Sequence, residues 1–189
     1  MNRIMVDPIV GRGVSSLEVR EWVTKYICTV VKPRRVFDLG CGIGLYGACA
    51  HVWHQCNFKW IGLDGFLPYL MQDHVRQYYD DLIYAPIEDV LDGTIHVEAD
   101  LIICMDVIEH LEKKVALKIL EFPGHLIVST PLFQYPQGKI EGNELERHRC
   151  WFDEQEFYAT DLGYKRICKF DCVAAMGQKG EIAAFEKGE

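Results

Sequence analysis

Arg35-Val36-Phe37-Asp38-Leu39-Gly40-Cys41-Gly42-Ile43-Gly44 is the stretch on which the reading of this chain turns. A short apolar run that ends in alternating glycines is the pattern of a buried strand entering a tight turn. Glycine tolerates the backbone angles such a turn needs and lets a ligand approach the main chain closely. In an open sheet with helices on both faces, ligands collect beyond the carboxyl ends of the strands, where this loop is delivered. Asp38, inside the strand and before the glycines, suits a cationic or amine-bearing ligand better than a pyrophosphate. The glycines also read GxGxG, not the GxGxxG of dinucleotide sites. Asp64 follows at the end of a second run, Lys59-Trp60-Ile61-Gly62-Leu63, about twenty residues on, where a carboxylate can accept hydrogen bonds from ribose hydroxyls. A nucleoside ligand is the consequence.

Working outward, Leu17, Trp22, Val23, Tyr26, Ile27 and Val30 recur at helical spacing and predict an amphipathic helix from Val14 to Val31. Ser15-Ser16 are its cap candidates and Pro33 stops it. Helices are expected from about Leu45 to Trp53, from Pro68 to Tyr79 and from about Lys113 to Leu120. Strands are expected at Leu82–Ala85, at Asp100–Met105 and at Leu126–Ser129, the last closed by Pro131. Strands alternating with helices at this interval predict a parallel sheet covered on both faces. The end of the chain departs from the alternation. A helix from Asp153 to Leu162 precedes two strand-like runs, Tyr164–Phe170 and Glu181–Phe185, joined by a glycine-containing loop as an antiparallel hairpin. No repeat, low-complexity tract or linker divides residues 1–189, so one domain is expected, with an N-terminal arm over residues 1–13. The stretch 131–152 is long and without periodicity, and is the candidate substrate lid.

Bulk properties narrow the classes. Hydrophobic residues make up 49% of the chain and charged residues 25%, the balance of a folded globular protein. The formal net charge of −8 repels a phosphate backbone, so DNA is not an expected partner. No apolar run reaches the roughly 18 residues of a membrane helix. None of the eight cysteines falls in a CxxC pair and no signal peptide opens the chain, so reduced thiols and a cytoplasmic location are expected. His51, His54 and Cys56 are close in sequence but lack a fourth ligand at zinc-finger spacing, and no metal is expected.

At this point the chain resembles the class I S-adenosylmethionine-dependent methyltransferases, whose first motif is similar to Asp38-Leu39-Gly40-Cys41-Gly42-Ile43-Gly44. The resemblance extends to Gly62-Leu63-Asp64, to Asp106-Val107-Ile108-Glu109-His110-Leu111 and to the terminal hairpin that the family's seventh, inserted strand would make. It implies a Rossmann-like, seven-stranded, mostly parallel sheet with helices on both faces, and S-adenosyl-L-methionine as cofactor. Asp38 and Gly40 would then hold the methionine end, with Cys41 next to them in the cofactor loop and Gly42 and Gly44 letting the cofactor lie close. Asp64 and Gly65 would hold the ribose, Phe66 and Ile87 would flank the adenine, and Met105 and Asp106 would line the pocket towards the acceptor. Many relatives carry an aspartate after the third strand that meets the adenine amino group; here Pro86 stands in that place, with Glu88 or Asp89 as substitutes.

For the methyl transfer itself the sulfonium is already a good leaving group, so alignment is the main need, with a base for a hydroxyl acceptor. His148, in Glu146-Arg147-His148-Arg149-Cys150-Trp151-Phe152, is the leading candidate base, or else a histidine that pins the loop. His110, beside Glu109, is the second candidate base, or else a packing and capping residue. Tyr135 is a lid residue that could touch substrate or simply pack, while Trp151 and Phe152 read as core in preference to an acceptor-stacking platform. The DxxEHL run is found among methyltransferases of small-molecule, quinone and lipid-like acceptors, so oxygen or nitrogen of a small or sugar-like molecule is the expected acceptor. A protein or RNA acceptor, or a non-catalytic methyltransferase-like subunit with a partner protein, are the alternatives, and a homodimer is compatible with either.

Overall fold

The computed structural model describes residues 16–134, 136–140, 142–173 and 179–188. The expected N-terminal arm, the start of the first helix at Val14-Ser15, and Tyr135 lie outside them.

The order of elements follows the sequence pattern. Helix α1, Leu17–Tyr26, buries Val19 and Val23 at four-residue spacing, and Ile27 continues the stripe into a wider π-type turn, Ile27–Val31. Lys32, in the left-handed region with φ 49°, ends it ahead of Pro33. The expected continuous helix is therefore shorter and changes pitch. Strand β1, Arg35–Leu39, is buried at Val36, Phe37, Asp38 and Leu39, which places it between two covered faces. Next come α2 (Leu45–Val52), β2 (Lys59–Asp64), α3 (Leu67–Leu70), β3 (Asp81–Tyr84) and α4 (Glu88–Leu91). They are followed by β4 (Leu101–Met105), α5 (Lys113–Leu120), β5 (Leu126–Pro131), α6 (Glu154–Tyr158), β6 (Lys165–Val173) and β7 (Lys179–Lys187).

The seven strands form one sheet in the order β3-β2-β1-β4-β5-β7-β6. The first five run parallel, with Asp38 beside Gly62 of β2 and beside Ile103 of β4. Strands β7 and β6 are antiparallel, β7 pairing with β5 from Leu126–Lys187 to Pro131–Ile182. The direction of winding reverses between β1 and β4, so a cleft opens at their carboxyl ends. Alternation along the strands feeds two cores. Phe37, Leu39, Ile102, Cys104, Phe157 and Phe185 pack on one face, and Val36, Trp60, Leu101, Ile103, Ile127 and Ala184 on the other.

Two expected helices are corrected besides the first. The segment 68–79 folds into the short α3 and a separate single turn, Val75–Gln77, because Tyr79 has to swing inward to reach Asp38. Helix α6 has a reciprocal capping box between Asp153 and Glu156 but ends at Tyr158. Thr160 Oγ1 caps the Phe157 carbonyl, and Asp161 and Gly163 take left-handed angles that no helix continues through. Single turns and the short α4 appear where no helix was expected. Pro131 belongs to β5 instead of closing it: β4 pairs only as far as Ser129, so no ladder donor is missed. The expectation of reduced thiols throughout is also corrected. Cys28, in the π-type turn, and Cys56, just before β2, are brought to a Cα separation of 6.2 Å and joined as a disulfide, while Cys41, Cys49, Cys104, Cys150, Cys168 and Cys172 are free. Among the described residues no helix is long and apolar enough to cross a membrane.

Candidate active site

The loop after β1 is held by backbone bonds that only a glycine-rich segment can make. Gly40 (φ 77°) and Cys41 both donate to the Leu63 carbonyl, at 2.8 and 3.0 Å, and Gly44 (φ 77°) donates to Cys41. A β-carbon on Gly40 would lie 2.5 Å from a methyl of Val107, so the β1 and β4 loops touch here. Asp64 then locks the loop to β2: one carboxylate oxygen accepts from Gly42 N–H and the other from Phe66 N–H, each at 2.8 Å. Burial raises the Asp64 pKa, and these two N–H groups oppose that.

Asp38 is buried, and Tyr79 Oη donates to its Oδ2 at 2.6 Å. Burial lifts its pKa to about 7; the Tyr79 bond lowers it and the Asp64 charge raises it. Tyr79 went unnoticed in the sequence, where it looks like one more apolar helical position. Its signal is a set of glycines, Gly44, Gly47 and Gly62, whose absent side chains make room for the Tyr79 ring. The Cys41 thiol is buried and its pKa raised, first by that burial and then by Asp38 and Asp64, so it is poorly suited to act as a nucleophile.

The remaining residues of the expected cofactor pocket sit at the same edge. Gly65 and Phe66 are partly buried, the Phe66 ring meets Tyr69 edge to face at 4.8 Å, and Ile87 is buried in the core beside exposed Pro86. Met105 is buried at the end of β4. Asp106 follows with φ 55°, an uncommon angle for a residue with a side chain, and its N–H is held by the Ser129 carbonyl at 3.1 Å and Ser129 Oγ at 3.0 Å.

A second cluster adjoins it. The single turn Ile108–His110 carries Glu109 and His110, and the end of the 131–152 loop brings His148 against His110, with ring centroids 4.8 Å apart. The Glu109 carbonyl accepts from Arg149 and Cys150 N–H, which ties the loop to that turn, and Thr130 Oγ1 donates to the Glu109 carboxylate at 3.1 Å. Burial, then the Asp106 charge, pushes the Glu109 pKa well up, while burial, then His148, lowers that of His110 to about 4. His110 Nδ1 is buried without a hydrogen-bond partner. One donor atom from each of Glu109, His110 and His148 lies within 4.8 Å of the others. A carboxylate with two imidazoles is a donor set for a divalent transition-type cation, which the sequence reading did not foresee. The other trio is not assembled as a site: Cys56 is in the disulfide, and His51 Nδ1 bonds the Gly47 carbonyl.

Glu109 and His148 also border a cavity of about 160 Å³ walled by Phe133, Pro131, Pro136 and Trp151. Trp151, expected in the core, is 53% exposed at this cavity, whereas Phe152 is fully buried. The same loop reaches the end of β2 through Glu146, whose carboxylate accepts from Tyr69 Oη at 2.8 Å, and through Leu145, which abuts Gly65. Segment 131–152 thus touches both clusters, and this contact needed the tertiary structure to be seen.

No protein-family model matches the chain, and no curated protein matches its sequence. Solved structures do resemble it. The small RNA methyltransferase HEN1 superposes with a TM-score of 0.65 at 21% identity, over 100% of this chain and 27% of that one. The N-terminal domain of EvdMO1 with SAH bound gives 0.64 at 13% identity, over 93% and 83%. TehB from Haemophilus influenzae gives 0.59 at 13% identity, over 88% and 62%. This chain has the fold of the S-adenosylmethionine-dependent class I methyltransferases.

Proposed function

We propose that the chain is an S-adenosyl-L-methionine-dependent methyltransferase acting on oxygen or nitrogen of a small or sugar-like acceptor. The observation that carries this is the convergence of Asp38, the Gly40–Gly44 loop and Asp64 at one sheet edge, with Glu109, His110 and His148 on the loop beside them. Asp38 faces the cofactor's ammonium, Asp64 and Gly65 the ribose, Phe66 and Ile87 the adenine, and Met105 and Asp106 the sulfonium side. The segment 131–152 serves as the substrate lid. His148 takes the proton of a hydroxyl acceptor. The three donors Glu109, His110 and His148 also fit a divalent cation, which when bound would act as a Lewis acid on that hydroxyl. A sugar-like acceptor is supported by an EvdMO1 structure determined in the presence of SAH and D-fucose. RNA is the second reading, favoured by the coverage of the whole chain by HEN1.

Titration calorimetry with S-adenosylhomocysteine and NAD tests the core of the reading: micromolar binding of the first alone is expected, and binding of neither removes it. The raised pKa of Asp38 adds a second expected result. Its folded value, about 7, lies above the unfolded one, so the empty protein loses this group's contribution to stability as pH rises through about 7. A ligand ammonium beside Asp38 favours the ionised carboxylate. Binding at pH 6 should therefore release a proton, and affinity should rise from pH 6 to 8. Calorimetry in buffers of different ionisation enthalpy measures this, with Asp38→Asn as the variant that loses it. Equal proton release in wild type and Asp38→Asn would refute the assignment.

His148→Ala is expected to lower turnover on hydroxylated acceptors by roughly 100-fold or more, with S-adenosylhomocysteine affinity kept within about twofold. A fully active variant removes His148 from the chemistry. Titration with manganese(II) followed by electron paramagnetic resonance separates base from cation site: binding abolished by His148→Ala supports the cation, and no binding leaves His148 as the base.

A further inference from the structure

Arg20 lies in the first turns of α1, is 6% exposed, and has neither Nε nor Nη1 hydrogen-bonded. One turn on, Thr24 Oγ1 is also buried without a partner. Among the described residues Arg20 makes no ion pair. Nearby carboxylates are engaged elsewhere or exposed: Glu18 accepts from Ser16 Oγ, and Glu21 is exposed. The group set against the guanidinium is the Cys49 thiol, a weak acceptor. Burial raises that thiol's pKa, and the Arg20 charge partly offsets the rise. Leaving a buried guanidinium without an anion is costly, so a counter-charge that reaches it would be bound strongly.

The topology says where. Only a short link joins the π-type turn at Val31 to the start of β1 at Arg35, so the C-terminal end of the helical segment sits at the amino end of the strand. From Lys32 back to Arg20 is roughly 18 Å at the rise of a helix. The length of β1 is about 16 Å at the rise of a strand. Tyr26 donates to Glu186, which pairs with Ile127 near the amino end of β5, so α1 runs back from that end and Arg20, earlier in the helix, lies toward the carboxyl ends of the strands. Cys49, which it faces, belongs to α2, and α2 starts directly after Gly44. The glycine loop thus has a carboxylate, Asp38, within the strand that feeds it, and a guanidinium on the helix packed beside the helix that leaves it. Those opposite charges match the two ends of a zwitterion.

We infer that Arg20 is the carboxylate-binding residue of the cofactor site, pairing with the α-carboxylate of an amino-acid arm whose ammonium meets Asp38. This rests on the S-adenosylmethionine reading above and adds a residue to it. Arg20 has five donors in a planar fork suited to a carboxylate, and the buried site keeps water from competing. The partner enters with the ligand, so the cost of a guanidinium with no ion pair among the described residues is recovered as binding affinity and as selectivity for the intact amino-acid arm.

The test compares S-adenosylhomocysteine with its decarboxylated analogue, which keeps the amine, and with 5′-methylthioadenosine, which lacks the whole arm. Each is titrated calorimetrically into wild type, Arg20→Met and Arg20→Lys. Wild type should bind the decarboxylated analogue roughly 10- to 100-fold more weakly than S-adenosylhomocysteine. In Arg20→Met that preference should vanish, methylthioadenosine affinity should stay within about twofold, and the melting temperature should hold or rise. Arg20→Lys should recover part of the preference. Equal affinity of wild type for the two homocysteine analogues overturns the inference whether or not any variant folds. So does an Arg20→Met variant that weakens methylthioadenosine as much as S-adenosylhomocysteine, which is the signature of a structural role. A wild type that binds none of the three overturns the S-adenosylmethionine reading, and this inference with it.

Discussion

Phe157→Ala is expected to lower the stability of the protein by about 3–5 kcal/mol, the cost of emptying a fully enclosed aromatic site. Phe157 is the buried residue of α6, with no exposed surface. Its ring stacks on Phe185 of β7 at 3.9 Å, and Phe152 and Tyr164 pack against it with centroids at 5.7 and 5.8 Å. The four rings come from the end of the 131–152 loop and its flank, α6, the start of β6, and β7, so one cavity loosens every element that follows β5. A partial collapse is blocked because Phe185 stands on the rigid sheet while α6 is only five residues long. For a chain of this size the melting temperature should fall by roughly 6–20 °C. Urea denaturation should show a lower midpoint at unchanged slope, with Phe157→Leu costing much less. A loss below about 1 kcal/mol would mean that α6 does not close this core.

Asp64→Ala is expected to act the other way round, on affinity more than on stability. The carboxylate accepts from both Gly42 and Phe66 N–H, so its removal frees the tip of the glycine loop and the start of the following loop together. It also takes away the acceptor proposed for the ribose hydroxyls. Binding of S-adenosylhomocysteine should weaken by about 1–3 kcal/mol, roughly 5- to 150-fold. Removing a carboxylate that burial holds partly against ionisation offsets the lost hydrogen bonds, so the melting temperature should move little. Asp64→Asn keeps an acceptor oxygen and should fall between the two. Unchanged affinity in Asp64→Ala would separate this residue from the ligand and leave it only the task of shaping the loop.

These two residues differ in how visible they were. Asp64 could be picked out from the sequence, because a carboxylate at the end of a second apolar run after a glycine turn has few structural uses. Phe157 could only be seen as apolar in a helical pattern; its four-ring cluster joins segments far apart in the chain. The same division runs through the site. Asp38, Gly40, Gly42 and Gly44 were legible because strand, turn and helix are local, set by a period of two, by glycine angles and by apolar spacing. Tyr79 was hidden, since the expected helix over 68–79 gave it an ordinary core position until the chain broke after Leu70 and turned its hydroxyl onto Asp38. Arg20 was hidden for a related reason: a charged residue on an amphipathic helix reads as solvent-facing, and it is the packing of α1 on α2, β6 and β7 that covers the helix. Trp151 erred the other way, placed in the core by its composition and exposed by the cavity beside it.

By itself, the sequence determined the alternation of strands and helices, the antiparallel ending and the loop after β1, because each depends on spacing within about a dozen residues. Tertiary structure alone decided what meets across the sheet edge: Glu109 and His110 with His148, Glu146 with Tyr69, Cys28 with Cys56, and Arg20 with Cys49 on the glycine loop's helix. Those juxtapositions follow from crossover directions and helix packing, which bring together residues whose separation in sequence carries no record of their distance in space.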